Sequence, residues 1–254
     1  MPRILTSNSN YNLNYFDSVL SSCRTLTMHA MPNSSRNPAP ASARSKRPDG
    51  DATRQQLLDV AGQVFSERGY ADATSKEICA RAGVNLAAVN YHFGSRNQLY
   101  EAVLVEAHHH LLKLEEMQAV AAADTDPRAK LRMILTGIVH RAAAPDAHWG
   151  SRVVIRELLS PSAFAPTLVH KAIAPKAQVM LGIVTQILGL PLDSPGLQRG
   201  LFFMMSPCLA LLMAPRAMRE NLFPALSGDL DALADDMLRY ADAGLAALAA
   251  RYKK

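Results

Sequence analysis

Residues 74–99 read TSKEICARAGVNLAAVNYHFGSRNQL, and this stretch decides the fold. Thr74 followed by Glu77 is a capping box, in which a hydroxyl and a carboxylate three residues apart satisfy free N–H groups at a helix start. The box opens a short helix that turns Ile78 and Ala82 inward, and Gly83 stops it by tolerating positive φ. Asn85 is placed to cap a third helix whose Val89 and Phe93 share a face, and Gly94 ends that one. Ser95 with Gln98 is another box and opens a long helix through Leu99 and Val103. Upstream, Thr53 with Gln56 reads as a further box. After it Leu57, Ala61, Val64 and Phe65 recur at helical spacing up to a stop at Gly69.

Two short helices joined by a tight glycine turn, with an amphipathic helix as third wall, form a helix-turn-helix. A small helical bundle without a nucleic-acid role would show the same caps and stops. What favours DNA is the third helix. With Val84, Val89 and Phe93 turned inward, its outer side shows Leu86, Ala87, Ala88 and Asn90, flanked by Tyr91 and His92. Two alanines make a slim surface for a major groove, an Asn amide matches an adenine edge, and Ala or Leu can meet a thymine methyl. Tyr91, His92 and Arg96 suit phosphate contact, Arg96 and Ser95 lying at a helix N-terminus where free N–H groups attract anions. Thr74 and Ser75 hold the same place on the preceding helix. No acid lies between Glu77 and Glu101, whereas Arg81, His92 and Arg96 do, so a positive local field is expected. Ordinary packing is the alternative for Tyr91.

These residues carry a resemblance. The run from Thr74 to Val84 with its Gly83-Val84 turn, then Asn85 to Phe93, then Gly94-Ser95-Arg96-Asn97-Gln98-Leu99-Tyr100, resembles the N-terminal domain of the TetR/AcrR regulators. The chain departs from the family's pattern at Asn90, where tyrosine is frequent, and at Asn85, where serine is frequent. The Ala87-Ala88, Tyr91, Phe93-Gly94-Ser95 pattern, with Arg156-Glu157 and Pro161 later, is similar to the CecR-like branch, whose members are linked to transport and drug sensitivity. The resemblance implies an all-α protein: a three-helix helix-turn-helix domain at 51–97, then a larger helical ligand-binding and dimerisation domain at 98–254.

Composition agrees with a folded chain. The 254 residues are 49% hydrophobic and 19% charged, enough to bury a core. The net charge of +5 is uneven. Residues 1–50 hold Arg3, Arg24, Arg36, Arg44, Lys46 and Arg47 against Asp17 and Asp49, so +4 of it lies there. Overall basicity is therefore no argument for nucleic acid. That segment, rich in Ser, Asn, Pro and Arg, reads as a disordered basic tail, either a solvated end or an arm for DNA phosphates. Met28 and Met31 are alternative translation starts. Three scattered cysteines without a CxxC argue against a disulfide scaffold and for a reducing cytoplasm. No secretory h-region is visible. Leu201–Met213 is shorter than the roughly 20 residues of a membrane span and contains Pro207, so a soluble protein is expected.

Beyond the head, segments 128–144, 149–159, 163–189, 197–213 and 229–252 read as helices, broken at Pro145, Pro161, Pro191, Pro195, Pro215 and Pro224. In the last one Leu230, Leu233, Met237, Ala241, Leu245 and Leu248 form a stripe. In one reading the stripe is core. In the other, which the resemblance implies, it pairs with its copy in a homodimer, 197–213 and 229–252 making a four-helix bundle. Phe202, Phe203 and Met205, beside an expected kink at Pro207, are candidates for an apolar ligand pocket, with Trp149, Arg152 and Arg156 as further lining. Core packing and a salt bridge of Arg156 with Glu157 are the competing readings.

His108-His109-His110 does not suit a shared metal, because successive helical residues point about 100° apart. GxSxG, GxGxxG, P-loop and HExxH motifs are absent from the sequence, so no catalytic residue, metal or cofactor is assigned. The function expected is a dimeric, ligand-responsive, sequence-specific DNA-binding regulator, a repressor released from a palindromic operator by a small molecule. An architectural DNA binder without a ligand competes with it. A helical protein–protein adaptor or an all-α enzyme comes third.

Overall fold

In a computed structural model of the chain, residues 48–143 and 149–253 are described. Every regular element among them is helical: α1 (Pro48–Asp72), α2 (Ser75–Ala82), α3 (Ala87–Phe93), α4 (Arg96–Leu111), α5 (Leu114–Ala122), α6 (Pro127–Ala143) and α7 (Trp149–Leu159). There follow α8 (Ala165–Leu168), a π-turn (Val169–Ile173), α9 (Ala174–Leu188), α10 (Pro195–Met213), α11 (Arg216–Asn221), a 3-10 turn (Pro224–Leu226) and α12 (Leu230–Tyr252). The fold is all-α, as expected.

The caps read from sequence hold around the helix-turn-helix. Thr74 Oγ1 accepts from the Glu77 N–H at 3.2 Å, and Ser95 Oγ from the Gln98 N–H at 3.1 Å. Gly83 adopts φ 65°, the left-handed conformation that lets the chain turn sharply into α3. α1 starts at Pro48, so Thr53 lies inside it and does not cap it, and residues 48–50 belong to helix, not tail. A proline at a helix start loses nothing, because the N–H there has no intrahelical acceptor. Gly69, at φ 79° and ψ 175°, interrupts α1 as foreseen, although the chain coils on to Asp72. The tail reading for 1–47 and the break at Pro145 lie outside the described residues.

Three further departures concern the later helices. The helix from Arg96 ends at Leu111, and α5 starts anew after Leu112, whose backbone is extended. No glycine or proline marks that break. The expected helix over 163–189 contains a π-turn, in which the Ala174 N–H bonds the Val169 carbonyl five residues back. Pro175 explains it: lacking an N–H, it cannot continue the α-helical ladder onto Lys171. α11 and the 3-10 turn fill a segment that had been assigned no helix.

Apolar side chains gather in two main clusters. The first contains Leu57, Val64 and Phe65 of α1, Ile78 of α2, Val89 and Phe93 of α3, and Leu99 to Ala107 of α4. It continues past residue 97, where the sequence suggested a domain boundary, and takes in Trp149, Val153 and Val154 of α7 with Leu168 and Ala172. The second cluster joins α5, α6, α9, α10 and α12 around Met117, Leu135, Met180, Leu197 and Leu245.

α7 is therefore a wall of the helix-turn-helix head. At its start the Trp149 ring presses on Gly62, where an added Cβ would lie 2.4 Å from the indole. Gly150 lies so close to α4 that a Cβ there would be 2.8 Å from the Ala107 carbonyl oxygen. Near its end the buried Glu157 carboxylate accepts from the Tyr100 hydroxyl at 2.8 Å and from the Ser162 N–H and hydroxyl at 2.9 and 2.7 Å. Burial, then the bond to Glu157, pushes the Tyr100 phenol well up, so it remains the donor.

Arg96 differs from expectation. Its guanidinium lies 4.2 Å from the centre of the Tyr70 ring, and one Nη donates to the Tyr70 carbonyl. The Tyr70 hydroxyl in turn donates to Asn97 Oδ1 at 2.6 Å. Arg96 thus clasps the end of α1, where the Gly69 break leaves carbonyls without helical partners, and is not held outward for a phosphate.

Gly62→Ala is expected to cost about 1–3 kcal/mol in denaturant unfolding, with a shift in the emission of Trp149, the sole tryptophan. Arg96→Ala is expected to cost roughly 1–3 kcal/mol, through the lost cation–π contact and carbonyl bond. Tyr91→Ala, a surface change, should stay within about 0.5 kcal/mol in the same melts.

Candidate nucleic-acid interface

α3 is seven residues long and depends on its neighbours for its shape. Asn85 Oδ1 accepts from the Ala87 N–H at 2.9 Å, so the side chain read as a cap is one. Val89 and Phe93 anchor the inner side in the first cluster. On the outer side Tyr91 is 84% and Leu86 55% exposed, and Ala87 and Asn90 are exposed beside them. Ala88 is half-buried against the first cluster, so the slim outer surface rests on Ala87 more than on a pair of alanines. His92 is half-buried, its ring edge-on to Tyr91 at 4.8 Å between centroids. Thr74 is exposed with its oxygen engaged as a cap, Ser75 is half-buried, and the Ser95 hydroxyl lies 3.1 Å from Gln98 Oε1.

The positive field is weaker than the charge pattern suggested. Arg81 is bonded to Glu67 at 2.8 Å and Glu77 at 2.7 Å, and Arg68 shares Glu77 at 2.8 Å. With Arg96 on Tyr70, two of the three cationic or basic residues singled out have internal partners. Two cations that the sequence reading passed over stand out instead. Arg54 is exposed, with its guanidinium carbon 4.8 Å from the centre of the Phe93 ring at the end of α3. Lys76 is exposed in the first turn of α2. The spacing of Arg54, one turn ahead of the buried Leu57 and Leu58, was the available signal.

The ligand candidates do not converge. Trp149 is buried in the first cluster, Arg152 is exposed, and Arg156 lies across Gly69 on the outside of α1 with an Nη 3.5 Å from the Ser66 carbonyl. Glu157 turns away from Arg156 into the buried bonds with Tyr100 and Ser162. Phe202 and Phe203 are 70% and 56% exposed, and only Met205 packs against the second cluster. α10 runs helically through Pro207, and the Ser206 hydroxyl donates to the Phe202 carbonyl at 2.8 Å.

The stripe on α12 faces inward. Ala241 and Leu245 are buried in the second cluster, Leu230, Leu233 and Met237 pack against a smaller one beside α6, and Leu248 meets the Gly200 position of α10. Ala241 and Leu245 are core of their own chain, and Leu230, Leu233, Met237 and Leu248 are half-buried against it, because an apolar stripe is covered first by the helices next to it. The surface left over is different: Phe202, Phe203 and Ala210 on α10, and Tyr240, Ala243, Gly244 and Ala247 on α12, all exposed. α10 has 19 residues at mean hydropathy 1.3 and is long and apolar enough to cross a membrane by length and composition. Its inner face is nevertheless packed, through Leu197, Met204 and Cys208.

Two family models match the chain. Residues 57–103 match the bacterial regulatory proteins of the TetR family, and residues 127–248 match the C-terminal domain of the HTH-type transcriptional dual regulator CecR. The HTH-type transcriptional regulator SrpR of Pseudomonas putida is 25% identical over 58% of this chain and 64% of its own. The activator FasR of Mycolicibacterium smegmatis is 40% identical over 38% of this chain and 43% of its own. CecR of Shigella flexneri is 32% identical over 49% of this chain and 59% of its own. The chain thus spans between 43% and 64% of the length of these relatives.

Among solved structures, a regulator from Pseudomonas aeruginosa PAO1 aligns at a TM-score of 0.62 and 14% identity, over 82% of this chain and 98% of that one. FadR of Bacillus subtilis, solved in complex with stearoyl-CoA, aligns at 0.58 and 19%, over 75% and 98%. At these identities the likeness is one of fold. Residues 57–103 are thus a TetR-family helix-turn-helix domain, and residues 127–248 a C-terminal domain of the CecR type.

Proposed function

We propose that the chain is a homodimeric, ligand-responsive, sequence-specific DNA-binding regulator that represses transcription and leaves a palindromic operator when a small molecule binds. The observation that carries this is the outer face of α3. An exposed amide at Asn90, a small side chain at Ala87, and Leu86 and Tyr91 beside them are held on a helix capped by Asn85 and anchored by Val89 and Phe93. Asn90 reads a base edge, Ala87 and Leu86 meet a methyl group, and Tyr91 with Thr74, Ser75, His92 and Ser95 lies toward the backbone. Arg54 and Lys76 supply the charge that Arg81 and Arg96 spend internally. The work is done on the nucleoid in the cytoplasm. Control of transport or drug-efflux genes is the part of the reading that rests on resemblance alone.

One such helix reads few bases, so a two-fold dimer with recognition helices about 34–36 Å apart is needed for a specific site. The face of α10 and α12 suits it. Phe202 and Phe203 on α10 and Tyr240 on α12, the last 74% exposed, offer aromatic surface, and the exposed Ala243, Gly244 and Ala247 are small residues over which a second helix pair can come close. A ligand releases DNA only by binding better to the state with the wrong helix spacing.

Selection from a random DNA pool by the purified protein at about physiological salt is expected to recover a palindrome. Recovery without a motif, lost steeply as salt rises, would instead favour an architectural binder. On the recovered site, Tyr91→Ala should weaken binding to all sequences alike, whereas Asn90→Ala should change base preference at one position per half-site, worth about 1–3 kcal/mol. Equal losses on every sequence for both would remove Asn90 from direct readout. Replacing Phe203 and Tyr240 by Asp should turn a dimer into a monomer in sedimentation, while Leu245→Ala should cost roughly 2–5 kcal/mol in stability as a core residue.

A further inference from the structure

α4, α5, the π-turn and α9 border a half-open cavity of about 120 Å³. Val105, Leu114 and Ala172 form its apolar side, and His109, Glu115, Lys171 and Lys176 its polar side. The cavity lies on the seam between the two main clusters, since α4 and Ala172 belong to the first while α5 and α9 anchor the second through Met117 and Met180.

Lys176 is the unusual member. It is buried, and its ammonium bonds only neutral groups, His108 Nδ1 at 2.8 Å and the His108 carbonyl at 3.3 Å. The carboxylates nearby are engaged elsewhere. Glu115 lies 3.3 Å from His109, Glu106 lies 4.0 and 3.5 Å from His109 and His110, and Glu101 lies 3.3 Å from Lys171. Among the described residues none comes within 4.0 Å of Lys176. Burial pushes Lys176 down to about 8 and His108 down to about 3, so near pH 7 the lysine is still mostly a cation and the imidazole a neutral acceptor. Glu115 and Glu106 act on Lys176 only through space, without contact, so an anion brought directly onto the ammonium offsets its burial cost.

We propose that this cavity is the effector site and takes a small carboxylic acid, its carboxylate on Lys176 Nζ and its carbon skeleton against Val105 and Leu114. Lys171 and Glu115, both mostly exposed, mark the solvent side, so a longer skeleton leaves between them. The assignment rests on the ligand-responsive reading above and gives it a route. Val105 lies on α4, whose Leu99 to Ala107 side chains are core of the head, so an occupant of the cavity bears on the helix that carries the head.

The test is calorimetric titration of the full chain, without DNA, with butyrate, hexanoate and benzoate against butyramide, hexanamide and benzamide. At least one acid is expected to bind tenfold or more tightly than its amide. Lys176→Met should abolish that preference, and Lys171→Ala should reduce it less. Lys176→Gln, which keeps a donor of similar reach without the charge, serves if the methionine variant fails to fold by circular dichroism. No acid preferred over its amide, or a preference that survives loss of Lys176 in a folded variant, overturns the assignment. The two readings fail separately. Acid binding through Lys176 in a protein that recovers no DNA would sink the regulator and keep the site, and a recovered palindrome without acid preference would do the reverse.

Discussion

The first hydrophobic core is not closed by the helix-turn-helix alone. α1 to α4 supply most of it, and α7, arriving from beyond residue 148, adds Trp149, Val153 and Val154. Its docking is fixed along its length: the Trp149 ring on Gly62, Gly150 against the Ala107 backbone, and the Glu157 carboxylate on the Tyr100 hydroxyl. Two of these contacts work only because a side chain is missing, and the third only because a buried charge has enough hydrogen bonds to be tolerated. Such contacts have little slack, so the head cannot move far without α7 and α4 moving too.

This gives the described part of the molecule a particular division. Residues 98–107 and 149–173 belong energetically with the head, although they lie behind the helix-turn-helix in the chain. The second core, built from α5, α6, α9, α10 and α12, carries the exposed aromatic and small-residue face suited to a second copy. Between the two lie the π-turn and the Lys176 cavity. A π-turn forced by Pro175 and a buried cation with no carboxylate in contact are both departures from the most stable local arrangement, and they fall together on the seam between the two cores.

Charge shows how sequence distance misleads. Between Glu77 and Glu101 the sequence holds no acid, yet Glu77 itself takes up Arg81 from one turn back, Glu67 reaches it from α1, and the Tyr70 carbonyl reaches Arg96 across the Gly69 break. Both cations are structural as a result. Arg54, distant from α3 in the chain, stands over Phe93 at its end.

The sequence by itself determined the helices of the head, because their causes are local. A Thr74 or Ser95 hydroxyl caps the N–H three residues on, Gly83 and Gly94 permit positive φ, and apolar spacing sets the buried side of each helix. It also determined the outward set on α3, apart from Ala88. The role of the Leu230 to Leu248 stripe was decided only by tertiary structure, as were the separation of Phe202 and Phe203 from Trp149, the partner of Arg96 and the company of Lys176. Spacing fixes which residues share a face. What covers that face depends on helices distant in the chain, and burial, charge pairing and cavities are properties of the covering.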